Sequence, residues 1–220
     1  MLAAELVSEK SAHLVTAIHA FLRGLNRALN KCNCSHYKFK PYTLRGNMEI
    51  RRIKYSDLGG FVALWDGVFK EGQYLSSPPP PAGGIGPVLQ KVEAHKIPQF
   101  VAIVENELVA SAEAFPGDMC GLKDKNSAQI GVVGAHVKQS LRGQGIGRTL
   151  LKMLIADSKR YGYSSLILEV YESNKPAKKL YESLGFIYNG FGRDVVFPSG
   201  LKVRSERMSL LLGKHCQLGP

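Results

Sequence analysis

Cysteine is scarce: Cys32, Cys34, Cys120 and Cys216 are the only four in 220 residues, and no secretory pattern precedes them. The chain therefore does not read as a disulfide-stapled secreted scaffold, and a reducing, cytoplasmic setting is expected. Cys32-x-Cys34-x-His36 lacks a second ligand pair at zinc-finger spacing, so no metal is expected. No apolar run approaches the roughly 20 residues a helix needs to cross a bilayer, which excludes a helical membrane span. Acidic residues are also few, 18 Asp and Glu against 29 Lys and Arg, for a formal charge of +11. That excess favours an anionic partner without choosing among nucleic acid, a membrane surface and a polyphosphate cofactor. Residues 1–47 hold Lys10, Arg23, Arg27, Lys31, Lys38, Lys40 and Arg45 against Glu5 and Glu9, a net +5, leaving +6 for the other 173. The body is thus only mildly basic. It lacks the interleaved aromatic and basic residues of RNA readers, and no nucleic-acid partner is expected.

What is present, 45% hydrophobic and 21% charged residues, suits one compact domain with an appendage. Leu14, Ile18, Phe21, Leu22, Leu25 and Leu29 recur at helical spacing, so 2–30 reads as an amphipathic helix, and 31–47, without periodicity, reads as a linker. Glu5 and Glu9 argue against an organelle presequence. Either the helix packs on the domain, or Met48 is an alternative first residue opening the strand Met48–Ile53. The expected division is a basic helical extension and linker over 1–47 and a functional domain over 48–220.

Ser56 and Asp57 offer helix-start chemistry ahead of the apolar stripe Phe61, Leu64, Trp65, Val68 and Phe69. Four prolines, Pro78–Pro81, read as a stiff loop before a helix at about 88–96. Strands at 99–104 and 108–115 form a hairpin turning at Glu105-Asn106-Glu107. A polar loop, a strand at 129–138, a helix at 146–161, a strand at 164–172, a helix at 174–184 and strands near 186–197 and 201–212 follow. That order predicts an α/β (α+β) fold, a mixed sheet flanked by helices rather than a doubly wound one.

The stretch most telling of chemistry is Arg142-Gly143-Gln144-Gly145-Ile146-Gly147-Arg148, a glycine-rich turn between a strand and a helix. Orphan N–H groups at a helix start suit a phosphate or pyrophosphate, and glycine lets the backbone approach closely. A Walker loop fails on the length of the turn, and a dinucleotide fingerprint fails because the glycines are spaced G-x-G-x-G; Glu169, at nearly the distance of a ribose ligand, is one match without the others. What remains is R-x-x-G-x-G, filled by Arg142, Gly145 and Gly147.

This motif, between the fourth strand and third helix counted from Met48, resembles the acetyl-CoA pyrophosphate loop of the GCN5-related N-acetyltransferase (GNAT) superfamily. Leu168-Glu-Val-Tyr-Glu-Ser-Asn174-Lys-Pro-Ala177-Lys-Lys-Leu180-Tyr181-Glu-Ser-Leu184-Gly185-Phe186 resembles that family's fifth strand and fourth helix. The resemblance covers about 48–212. It implies a mostly antiparallel sheet and direct attack of an amine on the acetyl-CoA thioester. Ala135 and Val137 would offer backbone groups to the pantetheine arm, and Arg142, Gly143, Gln144, Gly145, Ile146, Gly147 and Arg148 would hold the pyrophosphate. Asn174 would touch the cofactor and also suits a helix N-cap. Tyr181 would protonate the leaving thiolate or serve as a core aromatic.

Many family members carry a Glu five residues before the position of Val137, where this chain has Val132. His136 is the nearest titratable substitute, an imidazole being suited to proton transfer near neutrality. Glu113 and a water chain are alternatives. The expected acceptor is a primary amine, with a small molecule or amino acid favoured by the Pro loop and the fourth strand. A peptide N-terminus is kept open by Leu168–Phe186, which looks like ribosomal-protein and N-terminal acetyltransferases. A non-catalytic acyl-CoA sensor and a homodimer also stay open.

Overall fold

Successive residues of the central strands point to opposite faces of the sheet, and helices cover the apolar side chains on each. The computed structural model describes residues 42–44, 48–197 and 199–213. Its elements are β1 (Tyr42–Leu44), β2 (Met48–Arg52), α1 (Leu58–Lys70), α2 (Ala82–Ala94), β3 (Gln99–Val104), β4 (Glu107–Pro116), β5 (Ile130–Val137), α3 (Ile146–Tyr161), β6 (Ser165–Tyr171), α4 (Lys175–Ser183), β7 (Ile187–Val196) and β8 (Lys202–Leu211). The eight strands form one sheet in the order β1-β2-β3-β4-β5-β6-β8-β7. Every neighbouring pair is antiparallel except β5 and β6. This is the mixed sheet flanked by helices that the element order predicts, and it is mostly antiparallel, as the family resemblance implies.

One face carries Ile50, Phe100, Ala102, Ala110, Ala112, Ala114, Val133, Leu166 and Leu168, all buried with Leu150, Leu151 and Leu154 of α3 and Tyr181 of α4. The run of alanines on β4 lets α3 lie close to the sheet, because small side chains leave room for the leucine stripe of the helix. The opposite face carries Val101 and Leu108, packed with Phe61, Leu64 and Val68 of α1 and with Ile85, Leu89 and Val92 of α2. This second face also holds polar residues beneath α1: Gln99, Ser111, Glu113 and His136. Among the described residues no helix is long and apolar enough to cross a membrane.

Three local expectations change. The stretch read as a linker contains β1, which pairs with β2 through Tyr42↔Ile50 and Leu44↔Met48; three residues are too short to leave a periodic signal. The second helix starts at Ala82, directly after the proline run, because prolines are tolerated ahead of a helix and the glycines that follow can enter it. Asp57 precedes α1 without capping it. Its carboxylate accepts from the Lys54 N–H at 2.7 Å and from both terminal nitrogens of Arg51 at 2.7 and 2.9 Å, which ties the entrance of the helix to β2. The helix expected over 2–30 and the Cys32-x-Cys34-x-His36 motif lie outside the described residues.

Tyr163, between α3 and β6, is 3% exposed and donates its hydroxyl to the Ala114 carbonyl at 2.9 Å. The bond fastens the connection after α3 to β4 across the core. Tyr163→Phe leaves that carbonyl without its partner and is expected to lower unfolding stability by about 1–2 kcal/mol, read from urea denaturation; an unchanged midpoint would refute the tie.

Candidate active site

The site begins where the sheet comes apart. β5 and β6 are in register at only three positions, Ile130↔Ser165, Gly131↔Leu166 and Val132↔Ile167. Beyond them β5 stays with β4 as far as Val137↔Ala110, and β6 stays with β8 as far as Tyr171↔Ser205. Main-chain groups in an antiparallel pair face alternate sides, and the Lys138 N–H reaches across to the Val109 carbonyl at 2.8 Å. Even-numbered residues of β5 therefore turn their backbone toward β4, and odd-numbered ones, Val133, Ala135 and Val137, turn theirs into the opening. Ala135 and Val137, the two the sequence reading names, are among these. The Val137 carbonyl already accepts from Arg142 Nε at 2.9 Å.

At the end of β5 the chain makes a tight turn into α3. Gly143 and Gly145 have φ of +77° and +85°, the left-handed region that a side chain strains to occupy, and a Cβ added to either would meet open space. Gly145 is the N-cap and brings no capping side chain. The first helical N–H to close within this segment is that of Thr149, onto the Gly145 carbonyl at 3.0 Å. The N–H groups of Ile146, Gly147 and Arg148 precede it and are the orphan set that every helix start carries. Ile146 is buried and pins the turn, whereas Gly143, Gln144, Gly145 and Arg148 are exposed. Gln144 donates its side-chain amide to the Ser140 carbonyl at 3.4 Å. Left-handed glycines, orphan donors, a helix dipole and open space make an anion cradle that fits a pyrophosphate.

The Arg142 side chain is engaged within the chain. Its guanidinium meets the carboxylate of Glu71 in two bonds of 2.6 Å and lies 4.7 Å from the ring centre of Tyr74. Arg148 is the loop cation that stays exposed. Asn174 caps α4 as expected, its Oδ1 accepting from the Ala177 N–H at 3.3 Å. Its amide nitrogen has no partner among the described residues.

Tyr181 comes from α4, on the α3 side of the sheet. It packs edge-on against Phe186 with ring centres 5.7 Å apart, and its hydroxyl makes no hydrogen bond to the described residues. Burial, and after it the negative charge of Glu113, push the phenol up to about 12. A group so shifted stays protonated through neutral and mildly alkaline pH, the state a proton donor needs.

His136 and Glu113 lie on the other face, under α1. Glu113 Oε1 is 3.7 Å from His136 Nδ1, and its Oε2 accepts from the Ser111 hydroxyl at 3.1 Å, which in turn accepts from Gln99 Nε2 at 3.4 Å. A Cβ at Gly134 would collide with the Glu113 carboxylate, so glycine is what lets that carboxylate lie over β5. The Trp65 indole lies over the His136 imidazole at 5.4 Å between ring centres, leaving the histidine 7% exposed. Tyr181 and His136 thus belong to opposite faces of the same opening.

The sequence reading weighed Glu169 only as a ribose ligand and gave it no place in this site. On β6, Leu166, Leu168 and Val170 are buried, while Glu169 points to the face of Glu113 and His136 with a side chain 44% exposed. It accepts from the buried Ser205 hydroxyl at 3.0 Å and has Arg193 at 3.7 Å. Gly134 and Glu169 both stand two residues past the last paired position, so the carboxylates of Glu113 and Glu169 flank the opening from its two strands. A charged residue on an otherwise apolar interior strand was the available signal. Among the described residues no group of three His, Cys, Asp or Glu could hold a metal ion.

The sequence profile described as Acetyltransferase (GNAT) family matches residues 73–186, from Gln73 through the parted strands to Phe186. The chain belongs to this family. It is similar to N-acetyltransferase 8B of Homo sapiens, 31% identical over 91 residues, which are 41% of this chain and 39% of that protein. It is also similar to the [ribosomal protein bS18]-alanine N-acetyltransferase of Escherichia coli K12, 54% identical over 43 residues, 20% of this chain and 29% of that one. The chain thus spans well under half the length of either relative. In fold it is similar to a GNAT superfamily phosphinothricin acetyltransferase from Sinorhizobium meliloti, solved with AcCoA, at a TM-score of 0.66 and 18% identity, covering 79% of this chain and 92% of that one.

Gly145→Glu places a side chain and a negative charge where the orphan N–H groups converge. The variant is expected to fold, since the position is open, and to lose coenzyme A affinity by about a hundredfold or more. Calorimetry with coenzyme A checks this, and unchanged affinity in the folded variant would remove the loop from consideration.

Proposed function

We propose that this GNAT-family chain transfers an acetyl group from acetyl-CoA to a primary amine by direct attack, and that a small amine or amino acid is the preferred acceptor. The observation that carries the reading is the opening between β5 and β6, with an anion cradle at its end, a protonated phenol on one face and two carboxylates on the other. Acetyl-CoA, when bound, supplies the activated thioester. The N–H groups of Ile146, Gly147 and Arg148 receive the pyrophosphate, and the backbone of Val133 and Ala135 aligns the arm that lies in the opening. Asn174 supports the same arm from the start of α4.

On the α1 side an amine arrives as an ammonium and needs an anion that it can reach. Glu169 is half exposed and held in place by Ser205, so we assign it the binding and deprotonation of the acceptor. His136 lies beneath Trp65 and is only 7% exposed, so Glu169 is the more accessible of the two. With Glu113 it forms a buried pair behind the site and takes a supporting role in place of the direct base expected from sequence. Tyr181 donates its proton to the departing thiolate.

A second reading is favoured by one finding, the 54% identity over 43 residues to the enzyme named for ribosomal protein bS18 alanine, which would make the acceptor a peptide α-amine. A screen for free coenzyme A with amino acids, polyamines, aminoglycosides and short peptides separates the two. Acetyl-CoA binding without release to any amine would leave an acyl-CoA sensor. With an acceptor in hand, Glu169→Gln is expected to lower kcat by about 10²-fold. Tyr181→Phe keeps the ring and its packing, so acetyl-CoA affinity and melting temperature should hardly move while kcat falls by about 10²-fold. Full kcat in the Phe variant would return Tyr181 to a packing role.

A further inference from the structure

Glu71 stands where a helix disfavours it. It follows Lys70 as the C-cap of α1, at the end where unsatisfied carbonyls already carry partial negative charge, and its side chain is only 10% exposed. What holds it there is Arg142, 71 residues away, in a two-pronged ion pair with Nη1 on Oε2 and Nη2 on Oε1, both at 2.6 Å. The third nitrogen of the same guanidinium donates to the Val137 carbonyl at 2.9 Å, and the ring of Tyr74 lies against it. Each nitrogen of Arg142 therefore has a partner within the chain.

Arg142 is also the residue immediately before Gly143, whose left-handed backbone has no side chain to steady it. The strand end, the glycine turn and the end of α1 meet at this one cation. We propose that Glu71 is a positioning residue for the donor site: acting through Arg142, it holds the Gly143–Gly147 turn in the shape whose N–H groups converge on the pyrophosphate. This rests on the reading of that turn as the acetyl-CoA cradle. One consequence is mechanical. Tyr74 belongs to the connection between α1 and α2, so ordering of the turn by the donor also steadies that connection.

The test is calorimetry with acetyl-CoA on the wild-type chain, Glu71→Gln, Arg142→Gln and the double variant, with melting temperatures taken in the absence of ligand. Glu71→Gln keeps the shape and removes the charge, and it is expected to weaken acetyl-CoA binding about tenfold, as misplacement of a preorganised group does. Arg142→Gln should cost a similar factor and the double variant no more than either, because the two residues act as one unit. Glu71→Asp, which keeps the charge, should recover part of the affinity and guards against a variant that does not fold. Wild-type affinity in Glu71→Gln, or losses that multiply in the double variant as they would if Arg142 touched the phosphate itself, overturn the proposal and leave the donor-site reading standing. Failure of the wild-type chain to bind acetyl-CoA overturns that reading, and the proposal with it.

Discussion

The parting of β5 and β6 after three paired positions is the constraint on which everything else in this molecule hangs. A sheet interior does not ordinarily expose main-chain donors and acceptors, because unpaired backbone groups shielded from water are costly. Here the two strands are each committed to a different neighbour, β5 to β4 and β6 to β8. Their inner edges are therefore left with groups that an extended, amide-bearing ligand arm can satisfy in the way an added strand would. The turn into α3 lies at the end of the free edge of β5, so the helix start and the open backbone address one elongated ligand.

The sheet also separates charge. Its end toward α3 presents orphan N–H groups and the exposed Arg148, while the α1 face presents Glu113 and Glu169. Anionic and cationic ligand groups would thereby be favoured on different sides of one opening. Tyr181 is placed between these regimes: apolar packing keeps its phenol neutral, and the field of Glu113 acts in the same direction. The overall excess of basic residues does not foretell this, because it is a sum over the chain, whereas the sorting depends on which face each strand position occupies.

Much of the frame was legible in the sequence for physical reasons. The apolar runs of β3 and β4, the leucine stripe of α3 and the Asn174 cap are local signals, and the structure contains all three. The glycine turn was legible because positive φ is nearly a glycine property. Contacts between distant residues left no trace. Nothing near Arg142 in the chain announces Glu71, and nothing near His136 announces the indole that covers it. Glu169 was visible but misweighed, since it was judged by its distance from the glycines and not by the face of β6 it occupies. β1 was hidden by its length.

Trp65 is the sole tryptophan of the chain, and it lies against the His136 imidazole 5.4 Å away between ring centres. An indole stacked so closely on another ring reports on that packing, so the protein carries its own optical gauge on the α1 face of the sheet. A shift of α1 alters the quantum yield of one fluorophore with no background from others of its kind. Movement of that helix can therefore be followed by intrinsic fluorescence without a label, separately from events at the α3 turn.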